Sequence, residues 1–328
     1  MSGDLAMSSP TGITAVVNPF GARLVELVTP DRDGVRANIV LGFDTTREYH
    51  DFVNLYFGAT VGPVAGRIAD GRFRGGDLEL ELEPNEGSTH LHGGSARALD
   101  RVEWDVVDSS PESVEFRHVS SDGEDGYPGA VDVRAIYRFA GDELHISFTA
   151  TTTRPTPINL VNHTYFNLSG DARTSIIEHS LMIAASAVLA TDDRLLPLGG
   201  VHDVDGAALD FRDERRIGDR LPRGGEPWPG IDNTFILDSD APIAALLHDP
   251  VSGRTLSIVT TEPTLQVYSG NRIPHLPGRS GSAYEPGSGI CLEAQRVPDA
   301  SALPDWPTIV VPAGETYRQT TVWRFGTR

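Results

Sequence analysis

Cysteine, basic side chains and long apolar runs are all scarce in this sequence. Cys291 is the only cysteine among the 328 residues, so no intrachain disulfide can form and a reducing compartment is expected. No segment approaches the roughly 20 apolar residues that a membrane helix needs. Residues 1–10 are polar and lack the apolar core of a signal peptide. Together these absences predict a cytoplasmic protein without a membrane anchor.

The shortage of basic residues limits the possible partners. The chain has 27 lysine and arginine residues against 46 aspartate and glutamate residues, which gives a net charge of −19 at pH 7. Nucleic acid and anionic membranes are therefore not expected as partners, because they carry charge of the same sign. A phosphorylated substrate is disfavoured for the same reason, unless a local pair of arginines overrides the field. The excess of acidic residues needs no specific function, because a large net charge keeps a protein soluble.

Helical periodicity is nearly absent, and alternation of apolar residues with a period of two takes its place. Such alternation is typical of antiparallel strands with one buried face. The 34 glycines and 23 prolines suit the turns between many short strands. The apolar faces are Leu78, Leu80 and Leu82; Val131, Val133, Ala135, Tyr137 and Phe139; Leu144, Ile146 and Phe148; and Tyr317, Thr321, Trp323 and Phe325. The sequence therefore predicts an all-β fold, a large antiparallel β-sandwich.

No repeat, low-complexity tract or linker divides the chain. Residues 1–328 are therefore expected to form one domain, of which residues 1–10 are flexible. One short helix is predicted within residues 45–55. Residues 221–230 and 273–289 are predicted to be long loops, which is where binding and catalytic groups of a β scaffold usually lie.

The run from Val161 to Gly170 is the richest concentration of polar side chains in the chain. Its sequence VNHTYFNLSG sets His163 among two asparagines, a threonine and a tyrosine. These groups offer hydrogen-bond donors, acceptors and an aromatic face to a hydroxyl-rich ligand. Histidine also exchanges a proton near neutral pH. A buried histidine satisfied by its asparagine neighbours is the alternative interpretation.

A second candidate is the segment Thr89-His90-Leu91-His92-Gly93-Gly94. In a strand, His90 and His92 point to the same side, and the two glycines allow close approach to the backbone. The spacing is compatible with a metal pair completed by Glu293, although the nearest downstream carboxylate is Asp100. We instead interpret His92 as a substrate-binding residue and His90 as a packed or solvated neighbour.

Three charged residues complete the candidates. Glu293 lies at the end of the apolar run Gly289-Ile290-Cys291-Leu292, and burial there would raise the pKa of its carboxyl toward that of a general base. Asp232 precedes an apparent strand and is interpreted equally well as a turn residue. Arg67 offers a fixed donor, with a surface ion pair as the alternative.

Several common catalytic motifs are missing from the sequence. It contains no Gly-x-Ser-x-Gly elbow, no P-loop and no dinucleotide fingerprint. A nucleophilic serine or a nucleotide cofactor is therefore not indicated. Acid–base chemistry on a neutral, hydroxyl-rich molecule remains.

The ordered set of motifs resembles the aldose 1-epimerases, or galactose mutarotases. Each motif is weak by itself, but together they follow the family order from about residue 13 to residue 325. The matching elements are Leu91-His92-Gly93-Gly94, Asp125-Gly126-Tyr127-Pro128-Gly129, Asn162 to Leu168, Asp210-Phe211-Arg212, Asp232 to Phe235, Tyr268 to Asn271, Leu292 to Gln295 and Pro312 to Tyr317.

The resemblance implies a β-supersandwich that interconverts the α and β anomers of a free aldose, without metal or organic cofactor, as a monomer or homodimer. Glu293 matches the general base for the C1 hydroxyl, and His163 matches the general acid for the ring oxygen. The remaining matches fall on the sugar-binding residues and, more weakly, on the pocket wall: His92, Asp232 and Arg67, then Asn85, Tyr165 and Gln295.

Two positions depart from the family pattern. The family often has asparagine where this chain has Gly66, and histidine where it has Asn233. Neither change removes a proposed catalytic group, but both are expected to affect which sugar fits. A non-catalytic sugar-binding protein, a metal enzyme using His90, His92 and Glu293, and ring chemistry on a modified sugar are the alternatives.

Overall fold

The computed structural model describes residues 3–220, 230–298 and 306–328. Strands account for most of the regular structure in these ranges. In chain order the strands are β1 (Leu5–Ser8), β2 (Thr14–Asn18), β3 (Arg23–Pro30), β4 (Arg36–Asn38), β5 (Thr60–Val61), β6 (Arg67–Ile68), β7 (Arg72–Gly75), β8 (Leu78–Glu81), β9 (His90–Leu91), β10 (Asp105–Ser109), β11 (Ser113–Ser120), β12 (Val131–Ala140), β13 (Glu143–Thr152), β14 (Thr156–Pro157), β15 (Val161–Asn162), β16 (Tyr165–Phe166), β17 (Ser180–Ile183), β18 (Ala185–Thr191), β19 (Pro197–Asp203), β20 (Arg215–Arg216), β21 (Asp232–Leu237), β22 (Ala245–His248), β23 (Arg254–Thr260), β24 (Thr264–Tyr268), β25 (Leu276–Pro277), β26 (Ala283–Tyr284), β27 (Ile290–Gln295), β28 (Val310–Val311) and β29 (Thr316–Thr327).

Two large antiparallel sheets organise these strands. One has the order β10-β11-β12-β13-β29-β23-β22-β17-β20, and the other has the order β16-β27-β24-β21-β18-β19. Residues of both sheets share one apolar core, where the rings of Phe166 and Trp323 meet edge to face with centroids 4.8 Å apart. This arrangement confirms the predicted antiparallel β-sandwich. Smaller sheets (β1 to β4, β14-β28, β15-β5, β25-β26, β6-β9 and β7-β8) surround it.

The alternating patterns are confirmed where they are longest. Along β12 the residues from Val131 to Phe139 alternate between buried and more exposed, and Leu144, Ile146 and Phe148 of β13 are buried in the same way. The two strands pair with Ala135 opposite Phe148. A register slip of one residue would turn every apolar side chain toward water, so the burial itself specifies the pairing.

The short helix predicted within residues 45–55 is present as α1 (Thr46–Asp51). Thr45 caps it, since its hydroxyl accepts from the Glu48 backbone amide while the Glu48 carboxylate accepts from the Thr45 amide. A second helix, α2, spans Ile217–Arg220. Short 3₁₀ helices lie at Val53–Leu55, Ala69–Gly71, Leu99–Arg101, Glu124–Gly126, Ile176–Glu178 and Arg279–Gly281. None of the helices in the described ranges combines the length and apolarity needed to cross a membrane.

Two segments are more ordered than the sequence predicted. Within residues 1–10, expected to be flexible, β1 pairs along its whole length with β2 because Met7 is buried in the core. Within the predicted loop 273–289, β25 pairs with β26, and the buried Tyr284 hydroxyl donates to the Gly42 carbonyl at 2.8 Å. Of the other predicted loop, residues 221–229 lie outside the described ranges.

Strand β27 connects the core to the functional site. Its side chains alternate, so Ile290, Leu292 and Ala294 join the sandwich core while Glu293 and Gln295 face the other side of the sheet. The neighbouring strand β24 is in register with it, and Gln266 lies directly opposite Glu293. The face of the six-stranded sheet that points away from the core therefore carries polar groups.

Candidate active site

A cleft of about 170 Å³ opens on this polar face. Side chains from all six strands of the sheet contribute to its lining, together with residues from the connections that lead into β6, β9 and β16. The volume is below the roughly 300–1,000 Å³ typical of sites for drug-sized ligands. The cleft is therefore sized for a small ligand such as a single sugar.

Glu293 is the carboxylate at the base of the cleft. Its side chain is only 3% exposed. Burial raises the pKa of Glu293 well above its ordinary value, and the nearby Asp232 carboxylate raises it further, whereas Arg67 lowers it. The apolar flanks of β27 explain the burial, because they hold the strand in the core on both sides of this residue. A carboxyl in this position keeps its proton to a higher pH than an exposed glutamate does.

His163 faces Glu293 across the cleft. It follows β15, and its backbone is held by hydrogen bonds to Ala59 and from Gly58. The imidazole Nε2 lies 3.7 Å from the Glu293 carboxylate, and the Nδ1 lies 3.5 Å from the sulfur of Cys291. Burial lowers the pKa of His163 from 6.5 to about 4. Because the thiol occupies Nδ1, Nε2 is the nitrogen available to a ligand.

The pKa of Glu293 is raised and the pKa of His163 is lowered, so both side chains favour their uncharged forms. A buried histidine resists a positive charge, and a buried glutamate resists a negative one. Between the lowered pKa of His163 and the raised pKa of Glu293 the pair therefore holds a single proton, which lies mainly on Glu293. A pair in this state can accept a proton from one atom of a ligand and donate a proton to another.

His92 is oriented by the backbone rather than by another side chain. The Gly66 amide donates to its Nδ1 at 3.1 Å, and the residue adopts the left-handed conformation with φ of 55°. Burial lowers the pKa of His92 well below its ordinary value, and His163 and Arg67 lower it further. The neutral ring therefore carries its proton on Nε2 and presents a hydrogen-bond donor to the cleft.

Arg67 and Asp232 line the cleft as fixed polar groups. Arg67 is paired with Glu86 through two hydrogen bonds of 2.6 and 3.0 Å, and Arg272 reaches the same carboxylate at 3.7 Å. Asp232 accepts a hydrogen bond of 2.7 Å from Gln266. Burial raises the pKa of Asp232, and the two arginines oppose that effect. Each charge therefore has a partner before any ligand arrives.

Gln266 is a site residue that sequence reasoning missed. It lines the cleft, donates to Asp232 and accepts from the Thr234 hydroxyl at 2.5 Å. Nothing around it in the sequence distinguishes it from any other polar residue on a strand. Its role comes from the register that sets it opposite Glu293.

Most of the predicted site residues meet in the cleft: His163, Glu293, His92, Asp232, Arg67, Tyr165 and Gln295 all line it. Asn85 is placed elsewhere. Its side chain bonds both the amide and the carbonyl of Leu91, at 2.6 and 3.0 Å, so it supports the segment that carries His92.

Gly66 and Asn233, the two departures from the family pattern, lie at different places relative to the cleft. Gly66 lines the cleft with φ of +82°, and a Cβ atom there would lie 2.6 Å from Pro298, another lining residue. Asn233 lies on the opposite face of β21 and borders a separate pocket. The position of Gly66 therefore bears on which sugar fits, whereas Asn233 has no contact with the cleft.

The metal pair considered from the sequence is not assembled. His90 turns away from the cleft, with Nδ1 at 2.8 Å from the Glu83 carbonyl and Nε2 at 2.8 Å from the Tyr127 hydroxyl. Among the described residues a different set, His163, Cys291 and Glu293, brings one nitrogen, one sulfur and one oxygen within 4.8 Å of one another. Burial raises the pKa of the Cys291 thiol well above its ordinary value, which keeps it protonated and disfavours metal ligation.

Comparison with known proteins identifies a single family. Residues 4–324 match the family model described as aldose 1-epimerase. Galactose mutarotase from Rattus norvegicus is 40% identical over 309 residues, covering 93% of this chain and 89% of that protein. Aldose 1-epimerase from Escherichia coli is 30% identical over 329 residues, covering 98% and 94%. An aldose epimerase homologue from C. elegans, also 30% identical, superposes over 99% of both chains with a TM-score of 0.92.

Proposed function

This chain belongs to the aldose 1-epimerase family, and we propose that Glu293 and His163 perform the two proton transfers of the family's reaction. The protein is an isomerase that interconverts the α and β anomers of aldoses. The observation that supports the assignment is the approach of His163 Nε2 to the Glu293 carboxylate at 3.7 Å, with both side chains buried at the base of a small polar cleft.

The reaction starts from the minor form of the pair, in which the single proton lies on His163 rather than on Glu293, and it proceeds in two steps. Glu293 removes the proton from the C1 hydroxyl while His163 protonates the ring oxygen, so the C1–O5 bond breaks and the open-chain aldehyde forms. The C1–C2 bond then rotates. The C5 hydroxyl attacks the other face of C1, returns its proton to His163, and the new C1 oxygen takes the proton from Glu293. The pair ends as it began, with one proton.

The other residues of the cleft hold the sugar for these transfers. His92 Nε2 and Arg67 present donors, and Asp232 presents an acceptor that Gln266 keeps oriented. Fixing the sugar in this way lets both transfers occur without further rearrangement. The substrate is a free sugar because C1 must carry a hydroxyl for Glu293 to deprotonate.

Polarimetry of freshly dissolved α-D-galactose, α-D-glucose and pentoses tests the function. The purified protein is expected to accelerate the change of optical rotation for at least one of these aldoses. Sugar binding without acceleration, detected by calorimetry, would instead show a non-catalytic sugar-binding protein on the same scaffold.

The pH dependence of kcat/KM is expected to be displaced toward acid. Because burial lowers the pKa of His163 to about 4, the pair takes up a second proton only near that pH, and activity is lost there rather than near 6.5. The raised pKa of Glu293 sets the opposite, alkaline limb, where the last proton leaves. Rates measured by NMR anomer exchange between pH 3.5 and 9, on protein shown to stay folded, check this. An acid limb at 6.5 would contradict it.

Asp232→Asn is expected to weaken sugar binding more than chemistry. The substitution removes a charged acceptor, which is worth about 1.5–3 kcal/mol and corresponds to roughly a 10- to 100-fold loss in kcat/KM. We expect the loss to appear mainly in KM, since both proton-transfer side chains remain and burial, the main cause of the raised pKa of Glu293, is unchanged. Asp240→Asn, an exposed position beyond the same strand, is the control. An unchanged KM with a reduced kcat would place Asp232 in the chemical step.

We also propose a cytoplasmic location. Its support is Cys291, a buried free thiol. The net charge of −19 supports a role without nucleic acid or anionic membrane as partner. Sedimentation at micromolar protein distinguishes the proposed monomer from the homodimer.

A further inference from the structure

The ring of Tyr56 forms the wall behind both site histidines. Its centroid lies 4.7 Å from the His92 ring, edge to face, and 5.5 Å from the His163 ring, nearly stacked. Tyr56 ends the 3₁₀ helix Val53–Leu55 in the left-handed conformation, with φ of 56°. A non-glycine residue held in this region requires support from its surroundings.

Arg101 supplies that support from outside the cleft. Its guanidinium donates to the Asn54 side-chain oxygen at 2.6 Å and lies close enough to the Tyr56 hydroxyl to interact with it electrostatically. Tyr56 and Asn54 line the cleft, whereas Arg101 does not. One cation therefore binds Asn54 and lies beside the Tyr56 hydroxyl in the turn that faces the ligand.

Arg101 is in turn held by Asp100, whose carboxylate is completely buried. The Arg101 Nε lies 3.6 Å from Asp100 Oδ2, and within the described residues neither carboxylate oxygen accepts a hydrogen bond. The Asp100 backbone is anchored separately, because its carbonyl accepts from the buried Arg23 at 2.9 Å. A buried charge with so few partners is expensive. The free-energy cost of burying the Asp100 carboxylate is a reason to look for a function of its ion pair with Arg101.

We propose that Asp100 and Arg101 are positioning residues for mutarotation, which fix Tyr56 so that the His163 ring keeps the orientation needed for proton transfer. The inference rests on the proposed role of His163 as the acid. Arg101 acts through the Tyr56 hydroxyl and the Asn54 amide, and Asp100 acts through Arg101. Neither residue touches the sugar.

Two variants test this arrangement by kcat, KM and thermal unfolding. Asp100→Asn/Arg101→Gln removes both charges together, so no buried carboxylate is left unpaired. It is expected to lower kcat by about 10- to 100-fold, the effect of misplacing a catalytic group by up to about 1 Å. Tyr56→Phe removes only the hydroxyl and with it the polar interaction with Arg101, and it is expected to lower kcat by about 2- to 10-fold.

Combining the changes separates positioning from general stability. Because Tyr56→Phe and the charge removal break the same contact, their losses in kcat are expected not to multiply. Arg101→Lys, which keeps the charge, should recover part of the activity. Arg47→Gln, which breaks an exposed ion pair on α1, is the matched control and should leave kcat unchanged. Losses that multiply, or a wild-type kcat in the double variant, would overturn the proposal.

An NMR measurement that does not depend on activity tests the positioning role separately from the proposed function. The ring resonances of His163 in NMR spectra should shift in Asp100→Asn/Arg101→Gln and in Tyr56→Phe, and not in Arg47→Gln. Unshifted resonances would overturn the positioning role even if the protein is a mutarotase. Full activity of His163→Asn would instead reject the acid assignment on which the inference rests.

Discussion

Glu293→Gln is expected to lower kcat by about 10²–10⁴-fold, the contribution of one general acid–base transfer. Glutamine keeps the shape of the side chain and its contacts with β24, but it cannot accept the C1 proton. KM should change little, because the groups that hold the sugar remain. Polarimetry or NMR anomer exchange at saturating sugar measures the loss.

The same substitution is expected to stabilise the fold at neutral pH. The pKa of Glu293 is raised in the folded protein above its ordinary value of 4.5, so the folded state holds the proton more tightly than the unfolded chain. In the wild type, the contribution of Glu293 protonation to the free energy of unfolding is therefore fully present below pH 4.5. It declines as the pH rises toward the pKa of Glu293 in the folded state. Glutamine has no such dependence. Thermal unfolding measured as a function of pH should show that the unfolding temperature of the variant rises relative to that of the wild type above pH 4.5.

An exposed pair of the same composition provides the control for this experiment. His275 Nδ1 lies 3.7 Å from the Glu285 carboxylate, the separation also found between His163 and Glu293, but both side chains are exposed. Glu285→Gln should leave kcat unchanged. Wild-type activity in Glu293→Gln would reject Glu293 as the base.

His163→Asn is expected to lower kcat by a similar factor of about 10²–10⁴. Asparagine can still donate a hydrogen bond to the ring oxygen, but it has no proton to transfer. The same polarimetric assay measures the loss, and His275→Asn is the control. Folding should be retained, since the backbone of residue 163 is held by Ala59 and Gly58 rather than by the side chain.

The double variant tests whether the two groups act as one unit. In the proposed reaction His163 protonates the ring oxygen while Glu293 takes the proton of the C1 hydroxyl, so losing either side chain should already disable ring opening. The Glu293→Gln/His163→Asn protein should therefore be about as active as the weaker single variant. Losses that multiply would mean that the two residues act independently.

Much of the scaffold follows from the sequence alone. The alternation along β12, β13 and β29 specified strands with one buried face, and the short helix predicted within residues 45–55 is α1, which begins at the capping box of Thr45 and Glu48. Both signals are local, because period-two burial and helix capping depend on residues a few positions apart. The order of the motifs was likewise sufficient to indicate the family, and with it the candidate residues.

Tertiary structure decided what each polar side chain does. His90 forms hydrogen bonds with the Glu83 carbonyl and the Tyr127 hydroxyl, as its interpretation as a packed neighbour implied, and His92 faces the cleft. Asn85, predicted as part of the pocket wall, instead binds the backbone of Leu91. Gln266 became a site residue through its register with Glu293. The contact of Cys291 with His163 links residues 128 positions apart.

The physical reason for this division is the range of the interactions involved. Hydrophobic alternation is periodic and visible in a short window, so the sequence by itself determined the strands and the class of fold. A pKa shift depends on burial and on charges brought from distant strands, so the raised pKa of Glu293 and the lowered pKa of His163 exist only once the sheet has formed. The sequence therefore supplied the residue types, and the folded sheet supplied the burial and the neighbours that shift their pKa values.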